Sequence, residues 1–258
     1  MPPHTGLLRN ETLILRWLFG YQDSDSLPSD VRQSQFPSKN PNGVRFLSID
    51  IDSLQEHDGV IQNLHVGISV LDSESLKTPV TTEKQRIESH HYIVGNPKFA
   101  RNKANKFLFG NPKTIPLSGL KDQLQLFTSN RDIILIFHGG HRELWALKAL
   151  SINLNPLYTI DTVKAAQYPL QLSYRCSLEK LLLELKIPFT TLHNAGNDAH
   201  FVLRAVLMLA VQDAQRELAL APDALPAKLL NSRATAQAPW PSTKPGSEAV
   251  SQRTAAPQ

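Results

Sequence analysis

His193-Asn194-Ala195-Gly196-Asn197-Asp198-Ala199-His200-Phe201-Val202-Leu203-Arg204-Ala205-Val206-Leu207 is the stretch on which the reading of this chain turns. A histidine and an aspartate stand five residues apart, with a small, glycine-containing turn between them. Asp198 then opens a strongly apolar helix, expected over 197–217, with Phe201, Val202, Ala205, Leu209 and Ala210 as its buried positions. His193 is thereby held on a loop and Asp198 on the first helical turn, so both can face one cleft. The same two residues also suit a plain capping role, because a carboxylate at a helix start satisfies free backbone N–H groups and the helix dipole. A catalytic reading therefore requires further acids from the rest of the chain.

The bulk properties narrow the field. At 258 residues the chain has room for one sizeable domain with tails, and its 41% hydrophobic content supports one packed core. No apolar run approaches a bilayer span, so no membrane partner is expected. The single cysteine, Cys176, excludes a disulfide framework and a Cys-rich zinc site and points to a reducing, intracellular setting. No signal-peptide layout surrounds Leu13 to Phe19. A net charge of +4 permits a polyanionic partner without arguing for one, and fits the cytoplasm or the nucleus.

Residues 1–43 are expected to be mostly flexible around one short helix, Glu11 to Phe19, whose Ile14, Trp17 and Leu18 could dock on the domain or on a partner. Order is expected from Val44. The segment Val44 to Asp52 alternates as a strand, with Phe46, Ser48, Asp50 and Asp52 on one face and Leu47, Ile49 and Ile51 on the other. Two carboxylates two apart on one face either run out into solvent or take a cation between them. Ile61 to Asp72, entered from the first strand through an Asp58-Gly59 turn, and Ile87 to Val94 follow as strands two and three of an antiparallel meander. His90 and His91 read as surface or partly buried sheet.

Lys98, Arg101, Lys103, Lys106 and Lys113 then occupy a stretch without acids, interleaved with Phe99, Phe107 and Phe109. Such a stretch either tracks a phosphate backbone and stacks bases, or is a solvated loop pinned by its aromatics. Pro116 to Phe127 has helical spacing. Asp132 to Phe137 is a continuous apolar run, as in a strand buried on both faces. It ends in His138-Gly139-Gly140-His141, a tight turn into a helix that carries Glu143 in its first turn. His138 and His141 suit packing and hydrogen bonding. Leu157 to Ile160 is a fifth strand, ending at Asp161 as an N-cap. Cys176 to Lys186 is an amphipathic helix. The segment 218–258 is too polar and Pro-rich to pack and is expected to be a disordered tail.

Put in order, the acids read Asp50-x-Asp52, Glu143, then His193-x4-Asp198. This order resembles the DEDDh branch of 3′–5′ exonucleases within the ribonuclease-H-like superfamily. More closely, Leu192 to Phe201 and Asn105-Lys106-Phe107-Leu108-Phe109-Gly110 are similar to a fungal group of DEDDh-type domains. That group includes proteins resembling the argonaute-interacting exonuclease of the quelling pathway and a yeast protein linked to mRNA export. The likeness covers about Val44 to Val211. It implies an α/β, ribonuclease-H-like domain over 44–217: a mixed five-stranded sheet, three antiparallel strands then two parallel, flanked by helices.

The resemblance also implies a chemistry. Two Mg²⁺ or Mn²⁺ ions would be held by Asp50, Asp52, Glu143 and Asp198, with His193 as general base on the attacking water. Hard divalent ions prefer carboxylate oxygen to thiol, in keeping with a Cys-poor chain. Lys98, Arg101, Lys103 and Lys106 would guide RNA or another single strand, and an argonaute or other RNA-processing protein would be the partner. Two positions depart from the family pattern: Asp52 stands where Glu is usual and Glu143 where Asp is usual. Each changes the side chain by one methylene and leaves its charge, so the alternative is a weak or inactive domain that binds nucleic acid or protein as a scaffold.

Overall fold

The computed structural model describes residues 6–23, 27, 43–79, 86–173 and 176–239. Its centre is strand β1 (Val44–His57), which pairs antiparallel with β2 (Val60–Asp72) on one side and parallel with β5 (Asp132–Phe137) on the other. Asp58 and Gly59 both have positive φ, 50° and 75°, as a two-residue hairpin that follows the strand twist requires. The expected strand ended at Asp52. In the fold it continues to His57 after a register irregularity just past Asp52, where Ser53 has φ 48°. A bulge of this kind bends a strand next to the residues it presents.

Strand β3 (Glu88–Val94) adds antiparallel to β2, and β6 (Tyr158–Asp161) adds parallel to β5. Among the described residues the sheet has six strands in the order β4-β3-β2-β1-β5-β6, one more than expected. The extra strand, β4 (Lys113–Ile115), lies parallel to β3 at the edge. Three residues are too few to show an alternating pattern, and only the neighbouring edge makes this segment a strand.

The alternation along β1 separates two apolar layers. Leu47, Ile49 and Ile51 pack with Leu120, Leu124 and Phe127 of α3 (Leu120–Thr128) and with Ala146 and Leu147 of α4 (His141–Ala149). Phe46 faces the other layer, which is dominated by α7 (Ala195–Leu218) together with α1 (Asn10–Phe19), α5 (Thr162–Ala165) and α6 (Leu178–Glu184). A four-residue helix, α2 (Arg101–Ala104), sits within the basic stretch. Among the described residues no helix is long and apolar enough to cross a membrane.

The N-terminal helix takes one of its two expected places, on the domain, whereas the C-terminal segment departs from expectation. Helix α1 is docked: Ile14, Leu15 and Leu18 are fully buried, and Arg16 makes a two-bond contact with Asp213 of α7 at 2.8 and 3.1 Å. The tail expected to be disordered holds α8 (Ala227–Gln237), which packs on α7 and buries Leu229 and Ala236. Its largely polar, Ala-containing composition hides a few apolar contacts that matter only because α7 offers them a surface. Of the segments expected to be flexible or disordered, residues 1–5, 24–26, 28–42 and 240–258 lie outside the described residues.

Candidate acidic cleft and its basic wall

Asp50 and Asp52 leave the buried face of β1 where its pairing with β5 stops, at Ser48 opposite Ile136. Beyond that point the Ile51 N–H has lost its sheet neighbour, and the Glu143 carboxylate accepts it at 3.3 Å. The longer arm of Glu143 thus reaches from the first turn of α4 back to the strand between the two aspartates. The turn that starts α4 is set by Gly139, at φ 81°, whose N–H donates to Asp161 at 3.0 Å. Asp161 also caps α5 through the Val163 N–H, as expected. His138 takes the packing role: its ring contacts the Thr162 hydroxyl at 2.8 Å and the Cys176 carbonyl at 3.0 Å.

The fourth acid arrives with α7. Gly67 of β2 lies opposite Asp50, and a Cβ there would stand 1.8 Å from the Ala195 carbonyl oxygen. The missing side chain lets the start of α7 rest on the sheet beside Asp50. Asn194 caps the helix by accepting the Asn197 N–H, and Asp198 in the first turn accepts the His193 N–H at 3.0 Å. That bond holds His193 in the left-handed region, at φ 63°, with its ring exposed. Histidine tolerates this region better than bulky residues do.

Asp50, Asp52, Glu143, Asp198 and His193 line one cleft of about 510 Å³, together with Lys103, His141 and Arg142. Burial, reinforced by Asp198, Glu143 and Asp52, pushes the Asp50 carboxyl well above the ordinary carboxylate range. Burial and then Asp52 push Asp198 up to about 7, and burial raises Glu143 as well. Oδ1 of Asp198 is buried without a hydrogen-bond donor, and the buried Asp52 carboxylate meets only the Lys103 ammonium, 3.2 Å from its Oδ2, and the His65 ring, 3.6 Å from its Oδ1. Acids so crowded and so under-supplied with donors are the chemistry that hard divalent cations relieve. Carboxylate oxygens are the donors such ions prefer, while among the described residues no group of three or more His, Cys, Asp or Glu side chains stands close enough together to hold a metal ion.

The basic stretch divides in two. Lys103 and Lys106 line a second cleft of about 790 Å³ beside the first, with Thr191, Leu192 and His193 opposite them. Lys98 and Arg101 are exposed and line neither cleft. The wall is held in place by the asparagines of the His193–Asp198 segment. Asn194 donates to the Lys103 carbonyl at 2.8 Å, and Asn197 donates to the Lys106 carbonyl at 3.1 Å and accepts the Leu108 N–H at 2.9 Å. Phe107 packs on Gly196, where a Cβ would meet its ring at 2.6 Å, and Phe109 stacks on His200 at 3.6 Å. The two segments that carried the family likeness are therefore each other's packing partners.

Sequence reasoning missed one cluster. His65 and His91 are buried, His91 more deeply than the surface or partly buried place expected for it. Their rings meet at 3.3 Å; His91 accepts the Gly196 N–H at 3.1 Å, and His65 lies 3.6 Å from Asp52. The signal was available: a two-residue turn at Asp58-Gly59 places His65 opposite Asp52 by counting back from the hairpin.

A family model described as DNA polymerase III subunit epsilon-like, C-terminal domain, matches residues 45–209. A nucleolar protein of Schizosaccharomyces pombe, described as uncharacterized, is 28% identical over 131 residues, which is 45% of this chain and 54% of that protein. The chain thus spans about half the length of this curated relative.

Proposed function

Because this chain belongs to the DEDDh exonuclease-like family described as DNA polymerase III subunit epsilon-like, C-terminal domain, we propose that it is a metal-dependent 3′–5′ exonuclease acting on RNA or single-stranded nucleic acid. The observation that carries this reading is the meeting of four carboxylates, a loop histidine and a lysine in one cleft. Asp50, Asp52, Glu143 and Asp198 would hold two divalent ions, Mg²⁺ or Mn²⁺. Ions bound there supply the positive charge that a phosphodiester needs as its leaving oxygen becomes anionic.

The chain's own groups do the rest. The ring of His193, exposed and free to meet solvent, takes the proton of the attacking water. Its backbone bond to Asp198 keeps that ring at the mouth of the acid cluster. Lys103 and Lys106 draw the strand's phosphates along the neighbouring cleft. A nuclear compartment suits this reading, given the nucleolar relative. The likeness to the quelling-pathway group supports an argonaute or another RNA-processing protein as partner.

The test is incubation of purified protein with end-labelled single-stranded RNA in Mn²⁺, Mg²⁺ or EDTA. Stepwise shortening from the 3′ end that needs metal is expected. Asp50→Ala should abolish it, and His193→Ala should slow it by roughly 10²–10⁴-fold, the usual worth of a general base. A second reading draws on the substituted acids Asp52 and Glu143: a domain that binds strands without cutting them. Tight RNA binding with no shortening in any metal, unchanged by Asp50→Ala, would establish that reading instead.

A further inference from the structure

Lys103 holds two positions at once. Its ammonium stands 3.2 Å from Oδ2 of Asp52 and 3.4 Å from the Ser53 hydroxyl, inside the acidic cleft. The same side chain lines the second, basic cleft, and only His193 shares that double membership. The backbone beneath it cannot drift, because the buried Asn194 amide holds the Lys103 carbonyl at 2.8 Å. The flexible four-carbon arm is therefore tethered at the boundary between the clefts, with its head drawn to the acids.

An ammonium and a divalent ion compete for the same carboxylate lone pairs. We propose that Lys103 couples cation entry to strand binding: it neutralises Asp52 in the empty cleft, and once a divalent ion takes Asp52 its ammonium turns to a strand phosphate in the adjoining cleft. The proposal rests on the reading of the four acids as a cation site. It makes Lys103 a brake on metal binding and a reward for strand binding, so that each ligand favours the other. Coupling of this kind is reciprocal by thermodynamic necessity. It also gives the lysine a role distinct from that of Lys106, which lines only the basic cleft and touches no acid of the first.

Two binding measurements on the full chain decide it, neither of which needs turnover. In the first, Mn²⁺ is titrated into wild type, Lys103→Met and Lys103→Arg by calorimetry. Removing the competing charge should tighten Mn²⁺ binding by roughly tenfold in Lys103→Met, with Lys103→Arg close to wild type. In the second, a single-stranded RNA octamer is bound in EDTA and in Ca²⁺, with strand length checked afterwards. Ca²⁺ should tighten RNA binding to wild type by roughly tenfold and to Lys103→Met by less than about threefold. Lys106→Ala should weaken RNA binding equally in both buffers.

Unchanged or weaker Mn²⁺ binding by Lys103→Met, or an equal Ca²⁺ effect in wild type and variant, overturns the coupling while leaving the cation site standing. No Mn²⁺ binding to wild type at millimolar concentration overturns the cation site and the coupling with it.

Discussion

Asp198 shows what the cleft costs the fold. Its carboxyl is pushed up to about 7, by burial first and by Asp52 second, from an ordinary value of 3.8. A folded-state value above the unfolded one means that the folded protein holds the proton more tightly. The cost of ionising Asp198 is absent below about pH 4, grows between there and 7, and is full above 7. Asp198→Asn keeps an acceptor for the His193 N–H and removes that cost. In EDTA it should raise the melting temperature at pH 8 by on the order of 3 °C, with the gain shrinking towards zero near pH 4.5. With saturating Mn²⁺ the order should reverse, because only the wild type then gains from the ion. Thermal melts across that pH range check both signs; a gain that grows as pH falls would contradict the electrostatic account. His91 works in the opposite direction, since burial lowers it to about 4 and favours the neutral ring. Its share of stability is lost as pH falls from about 6.5 towards 4, which is why the comparison has to be made between wild type and the single variant.

At the scale of elements, the site depends on how closely α7 approaches β2. Gly67→Ala would drive a methyl group into the Ala195 carbonyl and the Gly196 N–H, at 1.8 and 2.6 Å. Both are backbone, so the helix start itself must move, carrying His193 and Asp198 with it. A loss of about 3 kcal/mol is expected by urea denaturation, at the upper end for overpacking. Gly119→Ala is the control, since its methyl group would make ordinary contact with Pro116 at 3.4 Å. It should be nearly neutral. A Gly67→Ala protein as stable as wild type would mean that α7 is seated less tightly than the geometry requires. The hairpin teaches the same lesson from the other side. Asp58-Gly59 sets the register that places Gly67 opposite Asp50 and His65 opposite Asp52. These pairings were implicit in the turn, but nothing in the local sequence marks Gly67 as the seat of a helix that starts 128 residues away, at Ala195.

At the scale of the molecule, α7 joins the chemistry to the ends of the chain. It is 24 residues long, about 36 Å at the usual rise, with the cleft at its first turn and α1 and α8 packed along the remainder. Leu229 of α8 is fully buried, Asn231 donates to the Leu76 carbonyl at 2.9 Å, and Lys228 to the Leu18 carbonyl at 2.6 Å. Leu229→Ala should cost about 3 kcal/mol, within the usual range for a buried leucine. Because the change lies far from the cleft, Mn²⁺ affinity of the folded protein should not move. A urea midpoint equal to wild type would show that α8 adds nothing to the fold.

Local signals alone determined much of this protein. The alternation over 44–52 put Asp50 and Asp52 on one face of a strand, the Asp58-Gly59 turn made the hairpin, and the apolar run after Asp198 made the long helix. Each follows from side-chain period or backbone preference, which act over a few residues. The tertiary structure decided what those signals cannot carry. It made a strand of Lys113–Ile115 by offering an edge, buried His91 by laying α7 across it, and ordered Ala227–Gln237 against a helix face. It also split the basic stretch, turning Lys103 into the cleft and leaving Lys98 and Arg101 outside. In every one of these cases the deciding partner lies far away along the chain, and burial or pairing with that partner outweighs the local preference of the segment itself.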